Sequence, residues 1–230
     1  MRVVSTSLFI LLVLISNGCS APIPGDLIID SFGDHEPEDE AILQEANHEA
    51  NDQYIHMLRV LDHPEDASHK RIITKSFGPE PELGEIRKNV KLLISEDLKV
   101  GDVRLPEGFN PGVLGYMIPG VNTLHFTHEF YSDLSKKGRA GTVIHEATHA
   151  LFGSKDYFTR DTGPKGIQPI SKADAKHVPH HVGYLHADFD MLKNKASGVM
   201  HKNADSYLAF GHYAKYGPDA EIKHEKPDAI

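Results

Sequence analysis

Tryptophan is absent from this 230-residue chain and cysteine occurs once. A single cysteine excludes an internal disulfide framework, so stability must come from a packed core, helped by any bound metal. Basic charge is also in deficit. Lys and Arg total 24 against 33 Asp and Glu, a formal net charge of −9. That balance argues against nucleic acid as a partner, because phosphate binding needs a basic surface. Long apolar runs are missing too. The one uninterrupted stretch, Leu8 to Ile15, is too short to span a bilayer. It follows Arg2 and precedes Cys19-Ser20-Ala21, whose small residues suit a cleavage position, with Pro22 behind them. Residues 1–21 therefore read as a secretory signal peptide. A lipoprotein signal ending at Cys19 is disfavoured, since Ser16-Asn17-Gly18 lack the expected Leu. Cleavage after Ala21 would remove Arg2 and the lone cysteine, leaving an extracellular chain with no membrane association. A monomer is the default expectation.

What remains suits one α+β domain over residues 38–230, preceded by a loose, Pro-, Gly- and Asp-rich arm at 22–37. From Glu38 to Leu61 the apolar positions Ile42, Leu43, Ala46, Ala50, Tyr54, Met57, Leu58 and Leu61 recur at helical steps, and Asp62 to Asp66 ends the pattern. A second helix is predicted over Pro81 to Leu98. Val113–Ile118 and Thr123–Phe126 read as two short strands joined across Pro119-Gly120. A third helix spans about Gly138 to Phe152. Gly153 to Gly183 reads as an extended loop, and Tyr184–Lys195 and Asn203–Tyr216 as two closing helices. The fold expected is mainly helical, with a small sheet.

The third helix carries His145-Glu146-Ala147-Thr148-His149. Residues four apart share a helix face, so both imidazoles can converge on one ion. Glu146 can then deprotonate an attacking water while the ion polarises a scissile carbonyl. With 16 histidines in the chain, the pentapeptide alone could arise by chance. Its surroundings are more telling. Val143, Ile144, Ala147, Ala150 and Leu151 make the helix apolar, and a polar His-Glu-His face there needs partners.

A catalytic zinc site takes three protein ligands. A third His six residues past His149, behind a Gly at the third, is excluded because Phe152 and Lys155 stand there. A downstream Glu is equally disfavoured, as none occurs between Glu146 and Glu221. Asp156, Asp161, His177, His180, His181 and His186 remain open. The His177-Val178-Pro179-His180-His181 cluster reads either as a solvated loop or as a flap lending a histidine to the site.

Gly153-Ser154-Lys155-Asp156-Tyr157 resembles the Gly-Thr-x-Asp segment of the aspzincins, the deuterolysin and lysine-specific metalloendopeptidase family. Asn203-Ala204-Asp205-Ser206-Tyr207 is similar to that family's Asn-Ala-Asp segment. Ser76-Phe77-Gly78 and Thr123-Leu124-His125-Phe126 fall in the matching order upstream, so the likeness covers roughly residues 38–216. The resemblance implies a zincin-like fold, one Zn2+ per chain held by His145, His149 and Asp156, and Glu146 as general base. It implies a secreted endopeptidase acting on protein or peptide substrates. Three features depart from the family. Thr159 and Arg160 stand where a Tyr-Gly pair is usual, which leaves Tyr184, or failing that Tyr157, to steady the oxyanion. The family's disulfide cysteines are missing. Leu208 replaces the carboxylate that, with the residue at Asp205, holds a substrate lysine in lysine-specific members. Asp205 accordingly has two readings, a substrate-binding residue or one that orients a ligand histidine. A non-catalytic metal-binding protein retaining the fold is the alternative overall.

Overall fold

The computed structural model describes residues 27–29, 37–101, 112–118, 123–160 and 165–222. The expected signal segment 1–21, the Pro119-Gly120 connection and Asp161 lie outside them.

Helix α1 runs from Pro37 to Asp62, with Glu38, Asp39 and Glu40 in a first turn whose dipole favours negative charge. Leu43, Ala46, Ala50, Tyr54, Met57 and Leu61 form its buried stripe, as their spacing requires. Helix α2, Ala67–Phe77, was not anticipated. It offers few apolar residues, yet Ile72, Ile73 and Phe77 are all buried. Gly78 ends it at φ 93°, and a Cβ there would lie 2.0 Å from the Lys193 carbonyl oxygen, so close approach demands glycine. Helix α3 covers Leu83–Ser95 and gives way to strand β2, Leu98–Val100.

Three residues of the expected arm, Leu27–Ile29, form strand β1, parallel to β2. The predicted hairpin is present as β3, Gly115–Met117, antiparallel to β4, Thr123–Phe126. These strands make a sheet of order β1-β2-β4-β3, with β3 at an edge. A short helix α4, His128–Asp133, leads into the motif helix α5, Lys136–Phe152. Ser135 caps α5 by accepting from Gly138 N at 3.2 Å, and Gly153 ends it in the left-handed region at φ 66°.

The segment expected as an extended loop is instead a second sheet of order β6-β5-β7. It comprises β5 Tyr157–Thr159, β6 Pro169–Ile170 and β7 His180–Val182, with a short helix α6, Lys172–Ala175. The next helix also starts later than predicted. Helix α7 is Phe189–Lys195, and residues 184–188 form a turn. Tertiary partners claim that turn: Leu185 N donates to Asp205 Oδ2 at 2.8 Å, and Asp188 Oδ2 accepts from Val182 N at 3.1 Å. A 3-10 helix, Ser197–Lys202, precedes α8, Ala204–Tyr216, whose N-cap is Asn203.

The core lies where α1, α5 and α8 pack on one another, with α2 and α3 closing its sides. Phe77 is fully buried, its ring 5.3 Å from that of Tyr207 and 5.4 Å from that of Phe210, both edge-on. Buried Glu49 of α1 accepts from Lys215 Nζ of α8 at 2.6 Å, so the two helices are also tied by a paired charge. Among the described residues no helix is long and apolar enough to cross a membrane.

The Phe77 cluster joins α2, which the sequence pattern did not announce, to α8. Phe77→Ala should therefore cost about 3–5 kcal/mol by leaving a cavity between the two helices, read as a lowered guanidinium midpoint at unchanged slope.

Candidate metal centre

Helix α5 presents His145 and His149 on one face because they are four residues apart. Their Nε2 atoms lie 3.1 Å from each other. The chain leaves the helix at Gly153, and the bend brings Asp156 back to the same place. Asp156 Oδ1 is 3.2 Å from His149 Nε2 and 3.5 Å from His145 Nε2. Around a tetrahedral ion with bonds of about 2.0 Å, neighbouring donors stand about 3.3 Å apart. The three atoms thus already form one face of such a tetrahedron.

The polar accounting agrees. Asp156 Oδ1 is buried and makes no well-directed hydrogen bond. It faces the two imidazoles at ion-pair range instead, and a cation between the three donors would satisfy that buried oxygen more directly. His145, His149 and Asp156 can therefore hold a metal ion, and they are the one such group among the described residues.

Each imidazole is anchored through its other nitrogen. His145 Nδ1 sits 2.6 Å from Asp205 Oδ1. His149 Nδ1 is 2.9 Å from the Ser154 carbonyl oxygen and 3.0 Å from Ser154 Oγ. Pairing Nδ1 with an acceptor keeps a hydrogen there and leaves Nε2 as the nitrogen that faces the metal group. Thr148 completes the shell, with Oγ1 2.6 Å from Ser154 Oγ and donating to the His145 carbonyl at 2.7 Å.

Electrostatics at the site favour positive charge. Burial alone would depress the His145 pKa. The facing Asp156 charge, the Asp205 hydrogen bond and the Asp205 and Glu146 charges outweigh it and push it up to about 10. Burial raises Asp156, but the His145 charge, the His149 hydrogen bond and charge, and a hydrogen bond from Tyr184 bring it down to about 2. Glu146 is 7% exposed, and desolvation pushes its pKa up against the lowering pull of both histidines. Strand β3 lies directly over it. A Cβ on Gly115 would come within 3.0 Å of Glu146 Cγ.

Tyr184 stands beside this group, its ring centroid 6.0 Å from that of His145. Its hydroxyl hydrogen-bonds to Asp156 and to Tyr157, and burial with neighbouring negative charge raises its pKa. The other histidines lie apart from the metal group. His180 packs edge-on against Tyr157 at 5.2 Å, His181 pairs with Asp188 at 3.2 Å, His186 stacks on Tyr184 at 5.6 Å, and His177 is exposed.

Sequence reasoning did not single out the frame behind the ligands. Asn203 is fully buried. Its Oδ1 accepts from Ser206 N at 2.9 Å, capping α8, while its Nδ2 donates to the Gly183 carbonyl at 3.1 Å. Gly183 N donates in turn to the Asp156 carbonyl at 2.7 Å. A Cβ on Gly183 would lie 2.1 Å from Asn203 Nδ2, so only glycine allows the contact. The available signal was the Asn at a helix start, read as part of a motif rather than as a hub.

Comparison with known proteins found no family model that matches the chain and no curated protein that matches it.

Because His145 holds a proton tightly without an ion, metal uptake at neutral pH must displace it. Affinity should rise as pH increases toward 10, by about tenfold per unit. Calorimetry at pH 7 in buffers of different ionisation enthalpy should report release of about one proton per ion bound.

Proposed function

We propose that the protein is a secreted zinc-dependent endopeptidase that hydrolyses peptide bonds with a Glu-activated water. The observation carrying this reading is the triangle of His145 Nε2, His149 Nε2 and Asp156 Oδ1, built one residue away from a buried Glu146. Two imidazoles and a carboxylate are a donor set that zinc accepts, with a fourth position left for chemistry. When bound there, the ion supplies Lewis acidity toward a carbonyl oxygen.

Glu146 takes the proton from water. Burial raises its pKa, which suits a group that must accept a proton and then return it to the leaving amine. Asp156 brings negative charge to the metal group and partly offsets a dication. Tyr184 stays protonated, because its pKa is raised, and its O–H can donate to an oxyanion developing beside Asp156. Strand β3 supports a peptide substrate in particular. It is an edge strand, and Gly115 brings its backbone against Glu146, so an extended chain pairing with that edge would pass the base. The likeness to aspzincin metallopeptidases adds the same ligands in the same order. The signal-like segment 1–21 supports an extracellular destination.

The purified protein should carry one zinc per chain and cleave a mixed protein substrate until a chelator is added. Glu146→Gln should keep the zinc and lose at least about 10²-fold in kcat. Full proteolysis in that variant, or no zinc in the wild type, would overturn the reading. Tyr184→Phe should lower kcat by about 10²-fold with KM little changed, measured on the same substrate.

A further inference from the structure

Asp205 occupies the first turn of α8, where the helix dipole favours a carboxylate, and it is 5% exposed. Both of its oxygens are engaged. Oδ1 lies 2.6 Å from His145 Nδ1, and Oδ2 accepts from Leu185 N at 2.8 Å. Leu185 directly follows Tyr184, whose hydroxyl reaches Asp156. One buried carboxylate therefore grips a metal-group histidine on one side and, on the other, the Leu185 N–H that adjoins the tyrosine. With so little of the carboxylate exposed, an ammonium group from a substrate finds almost none of its surface open.

We propose that Asp205 is a positioning residue that couples the orientation of His145 to the placement of Tyr184, and is not a seat for a substrate cation. This rests on the metallopeptidase reading above. The physical content is the asymmetry of a carboxylate against an amide. Asp205 accepts from two N–H groups at once. Asparagine at 205 can accept from only one, because its amide must face the other with N–H against N–H. Facing His145, the amide would require Nδ1 as acceptor and move the ring hydrogen to Nε2, onto the atom that faces Asp156.

Asp205→Asn should weaken zinc binding by about 10- to 100-fold, read by competition with a chromophoric chelator. It should also shift the d–d absorption of the cobalt-substituted protein. Leu185→Pro deletes the second donor and leaves the partner of His145 in place. It should leave zinc affinity within about threefold of wild type and lower kcat at least about tenfold, with KM unchanged. Substrates with lysine or alanine after the scissile bond should lose rate equally in Asp205→Asn. Wild-type zinc affinity and cobalt spectrum in Asp205→Asn would overturn the proposal, as would a defect confined to KM for the lysyl substrate. Unchanged kcat in Leu185→Pro would overturn the coupling. If the wild type binds zinc but cleaves no peptide, the endopeptidase reading fails, while the affinity loss in Asp205→Asn still supports the grip on His145.

Discussion

Three donor atoms from two imidazoles and a carboxylate are crowded within 3.1–3.5 Å of one another in a largely buried pocket. Nothing about such an arrangement is cheap. Asp156 Oδ1 makes no well-directed hydrogen bond, and the two imidazoles it faces must offset the cost of taking its charge out of water. The surrounding structure is arranged to keep that crowding in place. Ser154 and Asp205 fix the histidine rings from behind, and the Gly183–Asn203 contact pins the backbone that carries Asp156. The same negative field that raises the His145 pKa is the field a dication would enter.

The fold serves this constraint by giving each part of the site to an element anchored elsewhere. Helix α5 is held against α1 and α8 in the core, so His145, Glu146 and His149 stand on a rigid support. Asp205 and Asn203 come from the start of α8, whose far end is tied to α1 through Lys215 and Glu49. Asp156 leads into β5, and the second sheet holds it there by pairing Tyr157 with Val182 and Ile170. Strand β3 packs close against Glu146 at Gly115, and the glutamate is buried. Exclusion of water is what raises its pKa and makes it a stronger proton acceptor than a surface glutamate.

Legibility tracked the range of the interactions involved. Helices α1 and α5 were readable because a buried stripe at helical spacing is a local property, and the hairpin of β3 and β4 because alternation and turn residues are local too. Helix α2 escaped because only Ile72, Ile73 and Phe77 mark its buried face, and its stability comes from α8. The second sheet escaped because its strands are two or three residues long and its Pro and Gly content reads as loop. Strand β1 fell inside an arm that looked loose, and it exists through parallel pairing with β2, some seventy residues away. Long-range pairing of that kind leaves no periodic trace.

Within the site, the four-residue spacing of His145 and His149 determined by itself that two imidazoles would share a helix face, since helical geometry settles that without tertiary contacts. Which of several Asp and His residues would join them was open from residue types alone, and the aspzincin resemblance was needed to favour Asp156. Only the tertiary structure decided that Asp156 turns back onto the helix, that Tyr184 lies beside it, and that Asp205 points at His145 rather than into open solvent. Those outcomes depend on hydrogen bonds that tie the 153–156 bend to the 183–185 turn and to the start of α8, each with a peptide group on at least one side. Peptide N–H and C=O groups are nearly the same at every position, so which of them will meet is invisible in the order of side chains.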